Sequence, residues 1–454
     1  MNGISELLIS IPALKWLEYL LGERFGHKFT LYNQADGLLL TLTGSETRIR
    51  FDQLQKVFHK SHSDFPCEHW QASAEGFTGA VEDTIPAPSE VELPSPLIEL
   101  TDNGATIHYD ILGLTYWMLS RLEEVGRTDL DEHGRFPAIS SHAFKHNYLE
   151  RPIVDEWLNI LGQVVQRVWP DIELKHHQFE MKVSHDVDHP ARYGFANPKR
   201  LLRAMAGDIV KRKEYKNAML APWIRLNTRH KLHPCDPYNT FDWIMDQSEQ
   251  HGLKSAFYFM CGRTDSAKDG DYEIEQPAIV DLMQRIHKRG HEIGLHPSYG
   301  TYQQPKLIKK EAERLKRVCS ESGIEQQQWG GRMHYLRWEQ PTTLRAWAEA
   351  GMDYDSSLGY ADRPGFRCGT CHEYPAFDPV AQEQLPLNVR PLVVMECSVM
   401  AVKYLGLGAT DLAVEKILEI KNRCRAAGGC FTLLWHNSQF LNNNHHNLYS
   451  ETSL

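Results

Sequence analysis

From residue 178 onward, short apolar runs alternate with amphipathic stretches of helical period. The runs at 179–183, 254–260, 292–295, 328–331, 352–355, 392–397 and 430–435 read as strands, and 241–251, 277–289, 306–322, 342–350 and 411–426 read as helices. Strands alternating with helices imply βαβ units and a parallel sheet, which puts the chain in the α/β class. Seven such strands can curl into a (β/α) barrel.

Residues before about 170 follow a different pattern. They hold short alternating runs such as 38–42, a Pro/Glu/Ser-rich connector at 85–96, and helix-like segments at 110–124 and 154–168. No chemical constellation is visible there. The expected organisation is a smaller accessory α/β domain over 1–175, followed by the larger α/β unit over 176–454.

Apolar residues make up 42% of the 454 and charged residues 24%, enough for packed cores and without a signature of disorder. A net charge of -10 argues against a nucleic-acid partner, because affinity for phosphate backbones comes from Lys and Arg. The apolar start, 1–14, carries Glu6 and lacks a basic leader, so it reads as a folded strand or helix rather than an export signal. No window reaches the roughly eighteen apolar residues a membrane span needs, and the expected location is the cytoplasm. Nine cysteines is an odd number and fits reduced thiols. Cys368-Gly-Thr-Cys-His372 matches a haem-attachment pattern, but without an exporting context and without a second CxxC pair it reads as loop cysteines.

Polar residues suited to chemistry fall at the strand exits. Asp186, His296, Arg332, Asp355 and His436 each lie at or within a few residues of the C-terminal end of a separate strand. In parallel α/β architectures, ligands and catalytic groups collect at that edge. In Ser184-His-Asp-Val-Asp-His-Pro190, residues two apart share a face, so Asp186 and Asp188 project together while His185 and His189 point the other way.

Five ordered stretches carry a resemblance: Ser184-His-Asp-Val-Asp188, Gly290-His-Glu-Ile-Gly-Leu-His-Pro297, Arg332-Met-His-Tyr335, Tyr354-Asp-Ser-Ser-Leu-Gly359 and Leu433-Leu-Trp-His436. Over residues 178–440 the chain resembles the polysaccharide deacetylase family, the nodulation-type deacetylase homology domain, as an atypical member with an added N-terminal domain. The resemblance implies a distorted (β/α) barrel that removes N- or O-acetyl groups from sugars with one divalent metal ion. Asp186 would be the general base, and Asp188 and His296 metal ligands. Arg332 would orient Asp186, His436 would be the general acid, and Asp355 a candidate partner for His436. His436 could equally be a buried histidine satisfied by backbone.

One ligand of the family pattern is missing. The second motif usually reads His-x-x-x-His, but the position four after His296 is Gly300. His291 lies an odd number of residues from His296 and points to the other face of a strand. His334, two residues after Arg332, is the better replacement, with His189 as a further option. Either completes three protein ligands and an open position, the pattern of a catalytic zinc.

The segment 198–233 contains ten Lys or Arg against Asp208 and Glu214. It reads as a solvated helix packed on the larger unit, or as a basic lid that meets a phosphate-linked sugar or an anionic membrane surface. Trp329, Tyr335 and Trp338 are candidates for stacking on sugar rings, with core packing as the alternative. The Asn/His-rich stretch 442–447 reads as a surface loop or disordered tail. Beside a carbohydrate deacetylase, two other functions fit: a carbohydrate-binding protein that has lost its metal, and a metal-independent C–N hydrolase.

Overall fold

The computed structural model describes residues 9–453. Of the stretch 1–14, residues 1–8 lie outside the described residues, and a helix, Ile11–Phe25, begins directly after them. Ser10 caps it by accepting from the Ala13 amide at 3.3 Å, and Gly26 ends it at φ +78°.

The helix packs beside a five-stranded sheet of β1 (Phe29–Gln34), β2 (Gly37–Leu42), β3 (Arg48–Phe51), β6 (Ile98–Thr101) and β7 (Gly104–Ile107), ordered β1-β2-β3-β7-β6. A separate pair, β4 (Cys67–Gln71) and β5 (Thr84–Pro88), completes the strands of this half. The helices Ile111–Leu119 and Ile153–Val168 follow. Ile111–Leu119 is buried on every side, because the second half of the chain covers the face that the first leaves open. There the Tyr374 hydroxyl donates to the Leu119 carbonyl at 2.9 Å, and the Gln340 amide donates to the Ser120 carbonyl at 2.7 Å.

The second half is built on nine strands: β8 (Glu180–Val187), β9 (Ala256–Met260), β10 (Glu292–His296), β11 (Gly330–Gly331), β12 (Tyr354–Asp355), β13 (Tyr374–Asp378), β14 (Glu383–Val389), β15 (Val394–Met395) and β16 (Cys430–Leu434). Their order is β13-β14-β12-β11-β10-β9-β8-β16-β15, all parallel except β13, which runs antiparallel to β14. The expected helices are present as Phe241–Gln250, Pro277–Lys288, Pro305–Glu321, Thr342–Glu349 and Asp411–Ala426.

One apolar core runs from Ile9 to Tyr449 and is shared by both halves. A buried ion network also joins them: Glu124 accepts from Arg121 at 2.8 Å and from Arg367 at 2.5 and 2.9 Å. Cys371 belongs to the same junction, its amide donating to Asp155 at 2.9 Å, and all nine cysteines are free thiols. No helix among the described residues is long and apolar enough to cross a membrane.

The stretch 442–447 is neither loop nor disordered tail. It enters the helix Asn443–Ser453, which is anchored because Leu448 and Tyr449 are buried and the His446 ring meets Trp243 edge-on at 4.3 Å. Those two apolar residues lie just beyond the polar run that suggested a loop.

Candidate active site

Two glycines bring the central strands together. A Cβ on Gly331 would lie 1.9 Å from the Leu295 carbonyl oxygen, and one on Gly330 would lie 2.1 Å from the Tyr354 ring. This close approach delivers Arg332 to the sheet's C-terminal rim, fully buried, opposite the end of β8. Its Nη1 donates to Asp186 Oδ1 at 2.8 Å, its Nη2 to the Ser184 and Ser356 hydroxyls at 2.9 and 3.0 Å, and its Nε to the Ser356 carbonyl at 2.9 Å. Oδ1 of Asp186 is thereby held, and Oδ2 faces His296 Nε2 at 3.8 Å.

His296 ends β10. Its Nδ1 donates to the Arg332 carbonyl at 2.6 Å, which leaves Nε2 as the lone-pair nitrogen, 3.2 Å from Asp188 Oδ1. His334 repeats the arrangement from another element: Nδ1 donates to Asp269 Oδ1 at 3.1 Å, and Nε2 lies 3.7 Å from the same Asp188 Oδ1. His296 Nε2 and Asp188 Oδ1 are buried, and neither makes a hydrogen bond. One ligand atom each from Asp188, His296 and His334 lies within 4.8 Å of the others. Two imidazoles turned by second partners so that bare nitrogens meet a carboxylate oxygen form a donor set suited to a divalent cation. Burial pushes Asp188 up, but His334, His296 and His436 together hold its carboxyl well below the usual range.

His436, one residue beyond Trp435 at the exit of β16, completes the cluster. Its Nε2 lies 3.6 Å from Asp188 Oδ2, and its Nδ1 donates to Glu396 Oε1 at 2.5 Å. Burial lowers a histidine, but the buried Glu396 carboxylate outweighs it and holds His436 well above the usual imidazole range.

Asp355 is therefore not the partner of His436. Its Oδ1 turns back on its own chain and accepts from the Ser357 amide at 2.9 Å and from the Ser357 hydroxyl, while burial pushes its carboxyl up to about 6. The partner carboxylate comes instead from Glu396, because β15 pairs directly with β16.

The other candidates separate clearly. His185 faces away, with Nδ1 donating to the Trp435 carbonyl at 2.7 Å. His291 accepts from the Ser255 amide at 3.2 Å, outside the cluster. His189 lies just past the strand end, its ring nitrogens 3.4 and 3.5 Å from Arg200 Nη2, and it does not join the three-ligand group. Gly300 donates its amide to Thr264 Oγ1 at 2.6 Å, and a Cβ there would lie 2.8 Å from the Thr264 side chain. Trp338 is core, at 2% exposure. Trp329 lies at the opposite end of β11 from the cluster, its amide bound to Asp353 at 2.6 Å. Tyr335 alone of the three aromatics lies beside the cluster, its ring 4.7 Å from that of His334.

Residues 12–170 match a family of unknown function, DUF7033. No curated protein matches the chain. Among solved structures, a putative polysaccharide deacetylase from Mycobacterium smegmatis is 17% identical, with 63% of this chain and 84% of that one covered at a TM-score of 0.39. Puue Allantoinase is 11% identical, with 61% and 82% covered at 0.36. A probable polysaccharide deacetylase from Pseudomonas aeruginosa PAO1 is 11% identical, with 63% and 89% covered at 0.36.

Proposed function

We propose that the protein is a metal-dependent hydrolase that removes N- or O-acetyl groups from a carbohydrate. The observation that carries this reading is the meeting of Asp188, His296 and His334, with Asp188 Oδ1 and His296 Nε2 buried and unbonded, and with the Arg332–Asp186 and Glu396–His436 pairs on either side. Those three residues would hold a divalent cation such as zinc, which would supply positive charge to polarise a carbonyl and acidify water.

The chain's own groups account for the protons. Asp186, with Oδ1 fixed by Arg332, takes a proton from water on Oδ2. The resulting hydroxide attacks the acetyl carbon, and the C–N or C–O bond breaks. His436 gives its Nε2 proton to the departing nitrogen or oxygen, and acetate is released. Each proton transfer contributes on the order of 10²–10⁴-fold. Tyr335 offers the ring against which a sugar would lie.

We also read the large sheet as a distorted barrel. Its outer parallel strands, β14 and β15, are joined by residues 390–393, a link that spans at most about 18 Å. Seven strand spacings in a flat sheet would separate them by roughly 34 Å. The short link supports a sheet that curls.

The deciding experiment is elemental analysis of the purified protein together with acetate release from a panel of N- and O-acetylated sugars, before and after chelation. Bound divalent metal and chelator-sensitive acetate release are expected. Metal-free protein with no acetate release would favour a binding role, and acetate release that survives both chelation and Asp188→Ala would favour a metal-independent hydrolase.

A further inference from the structure

Seven of the eighteen large apolar side chains exposed among the described residues lie in one segment, 198–227. The segment 198–227 forms two helices, Pro198–Gly207 and Tyr215–Asn227, packed against each other and joined through a π-helical turn, Asp208–Arg212. On the second helix Tyr215, Met219, Trp223 and Leu226 are 59%, 81%, 60% and 61% exposed. At 3.6 residues per turn these positions fall within a sector of about 80° and make one continuous stripe. The opposite side is occupied, since Ala218, Ala221 and Ile224 are buried, the latter two in a small core with Tyr193. Leu202 on the first helix and Ile209 and Val210 on the turn extend the apolar surface, at 65%, 47% and 75% exposure.

Positive charge surrounds this ridge. Lys199, Arg203, Lys211, Lys213 and Lys216 are exposed, and none forms an ion pair among the described residues. Asp208, one of the two acids of the segment, is buried between Arg192 and Arg212 and offers the surface nothing. All of this stands on a protein whose net charge is -10.

We propose that this helical hairpin is an interfacial membrane element that seats the protein on an anionic lipid bilayer. An amphipathic helix with Trp and Leu on one face and Lys and Arg beside them is the composition that lies in the headgroup region, and anionic lipid adds attraction for each basic residue. A second copy of the chain fits less well, because a two-fold contact would set the same positive ring against itself. The hairpin also forms one wall of a cleft of about 580 Å³, through Arg200, Arg203 and Val210, with His189 and Tyr272 on the other wall. Docking would place this cleft near the lipid surface. The membrane assignment holds whether or not the site is a deacetylase.

Cosedimentation of the full chain with vesicles tests it, using phosphatidylcholine with and without phosphatidylglycerol. The protein is expected to pellet with the mixed vesicles and to be released by salt. Met219→Ser with Trp223→Ser, and separately Lys211→Glu with Lys213→Glu and Lys216→Glu, should each weaken binding at least about tenfold. Both variants alter only exposed side chains, so circular dichroism and the thermal melt should match wild type. Protein that stays in the supernatant with both vesicles at low salt overturns the proposal. So does a Met219/Trp223 variant that binds as wild type does. A wild-type dimer that this variant converts to monomer assigns the ridge to a protein contact and overturns it as well.

Discussion

Asp269 accepts the Nδ1 proton of His334 at 3.1 Å, and this bond decides which imidazole nitrogen is turned to Asp188. Asp269 is well supplied for the task. Although burial pushes its carboxyl up, His334 and the backbone amides of Tyr299 and Asp265 bring it down to about 2, so it is an anion across the neutral range.

Removing that anion should weaken the proposed metal site without unfolding the protein. Asp269→Asn can keep its oxygen toward the Thr264 and Asp265 amides, which bond Oδ2, while turning an NH2 group to His334 and the Tyr299 amide. It is expected to lower zinc affinity by about 10–100-fold, as loss of a ligand's outer partner usually does. His334→Ala should lose the metal altogether, whereas His189→Ala should retain it. Competition titration with a chromophoric chelator reads all three. Full occupancy in His334→Ala would transfer the third ligand role elsewhere.

The Glu396–His436 pair makes a prediction about pH. In the proposed reaction His436 is the general acid and works only while protonated, so the rate should fall as pH rises through the His436 pKa, which Glu396 raises. Glu396→Gln removes most of that upward push. The alkaline limb of the kcat profile should move to lower pH, with a loss of about 10–100-fold on that limb and a smaller one on the acid side. A uniform loss across the profile would mean that Glu396 serves only packing. The same sign holds for folding: the pair's stabilisation is present below the unfolded histidine pKa and is lost as pH rises through the folded one.

Arg332 is expected to matter for stability as well as rate. It is the charged partner of a carboxylate that is 3% exposed, and Arg332→Met would leave Asp186 buried and uncompensated. A cost of about 3–5 kcal/mol in urea unfolding is expected. Adding Asp186→Asn to that variant should recover part of it, because the unpaired charge disappears, while activity stays absent. If the double variant is no more stable than the single one, Arg332 acts through its bonds to Ser184 and Ser356.

Much of the site was legible because its side chains fall at or within a few residues of the ends of strand-like runs: Asp186, Asp188, His296, Arg332, His334 and His436 all do. Glu396 carries the same signal, but the run 392–397 read as one strand, whereas pairing stops at Met395 and the helix Glu396–Met400 begins at the carboxylate itself. Asp269 gave no signal, since it lies in an irregular acidic loop and its partner is 65 residues away. No strand was expected over 374–389, the hairpin of β13 and β14, where Pro375, Pro379 and Pro386 weaken a strand pattern. Pro375 is tolerated because β13 is the outermost strand, Pro379 lies past its end, and Pro386 falls where the β13–β14 register shifts and pairs with no residue of either neighbouring strand. In β14 the alternation of Leu385, Leu387 and Val389 toward the core was present in the sequence and outweighed by the prolines.

The N-terminal half, whose role the sequence left open, reaches the site through residues 133–135. His334 begins a 3₁₀ turn in which Tyr335 and Leu336 take φ of +60° and +55°, a left-handed conformation that costs a non-glycine residue about 1–2 kcal/mol. The turn is held from outside: Arg135 Nη1 donates to the Tyr335 carbonyl at 2.8 Å, and Arg337 Nε donates to the His133 carbonyl at 2.6 Å. Arg135 is itself fixed by Asp131, its Nε donating at 2.7 Å. Arg135→Ala should therefore let the turn relax and lower zinc affinity by about tenfold, although Arg135 touches neither ligand nor substrate. Arg135→Lys restores the charge but not the fork that bonds Asp131 and Tyr335 together, so it should recover little. Zinc titration alongside a thermal melt separates the outcomes. Weakened metal binding with an unchanged melting temperature places Arg135 in the support of His334, and an unchanged affinity limits the N-terminal half to packing.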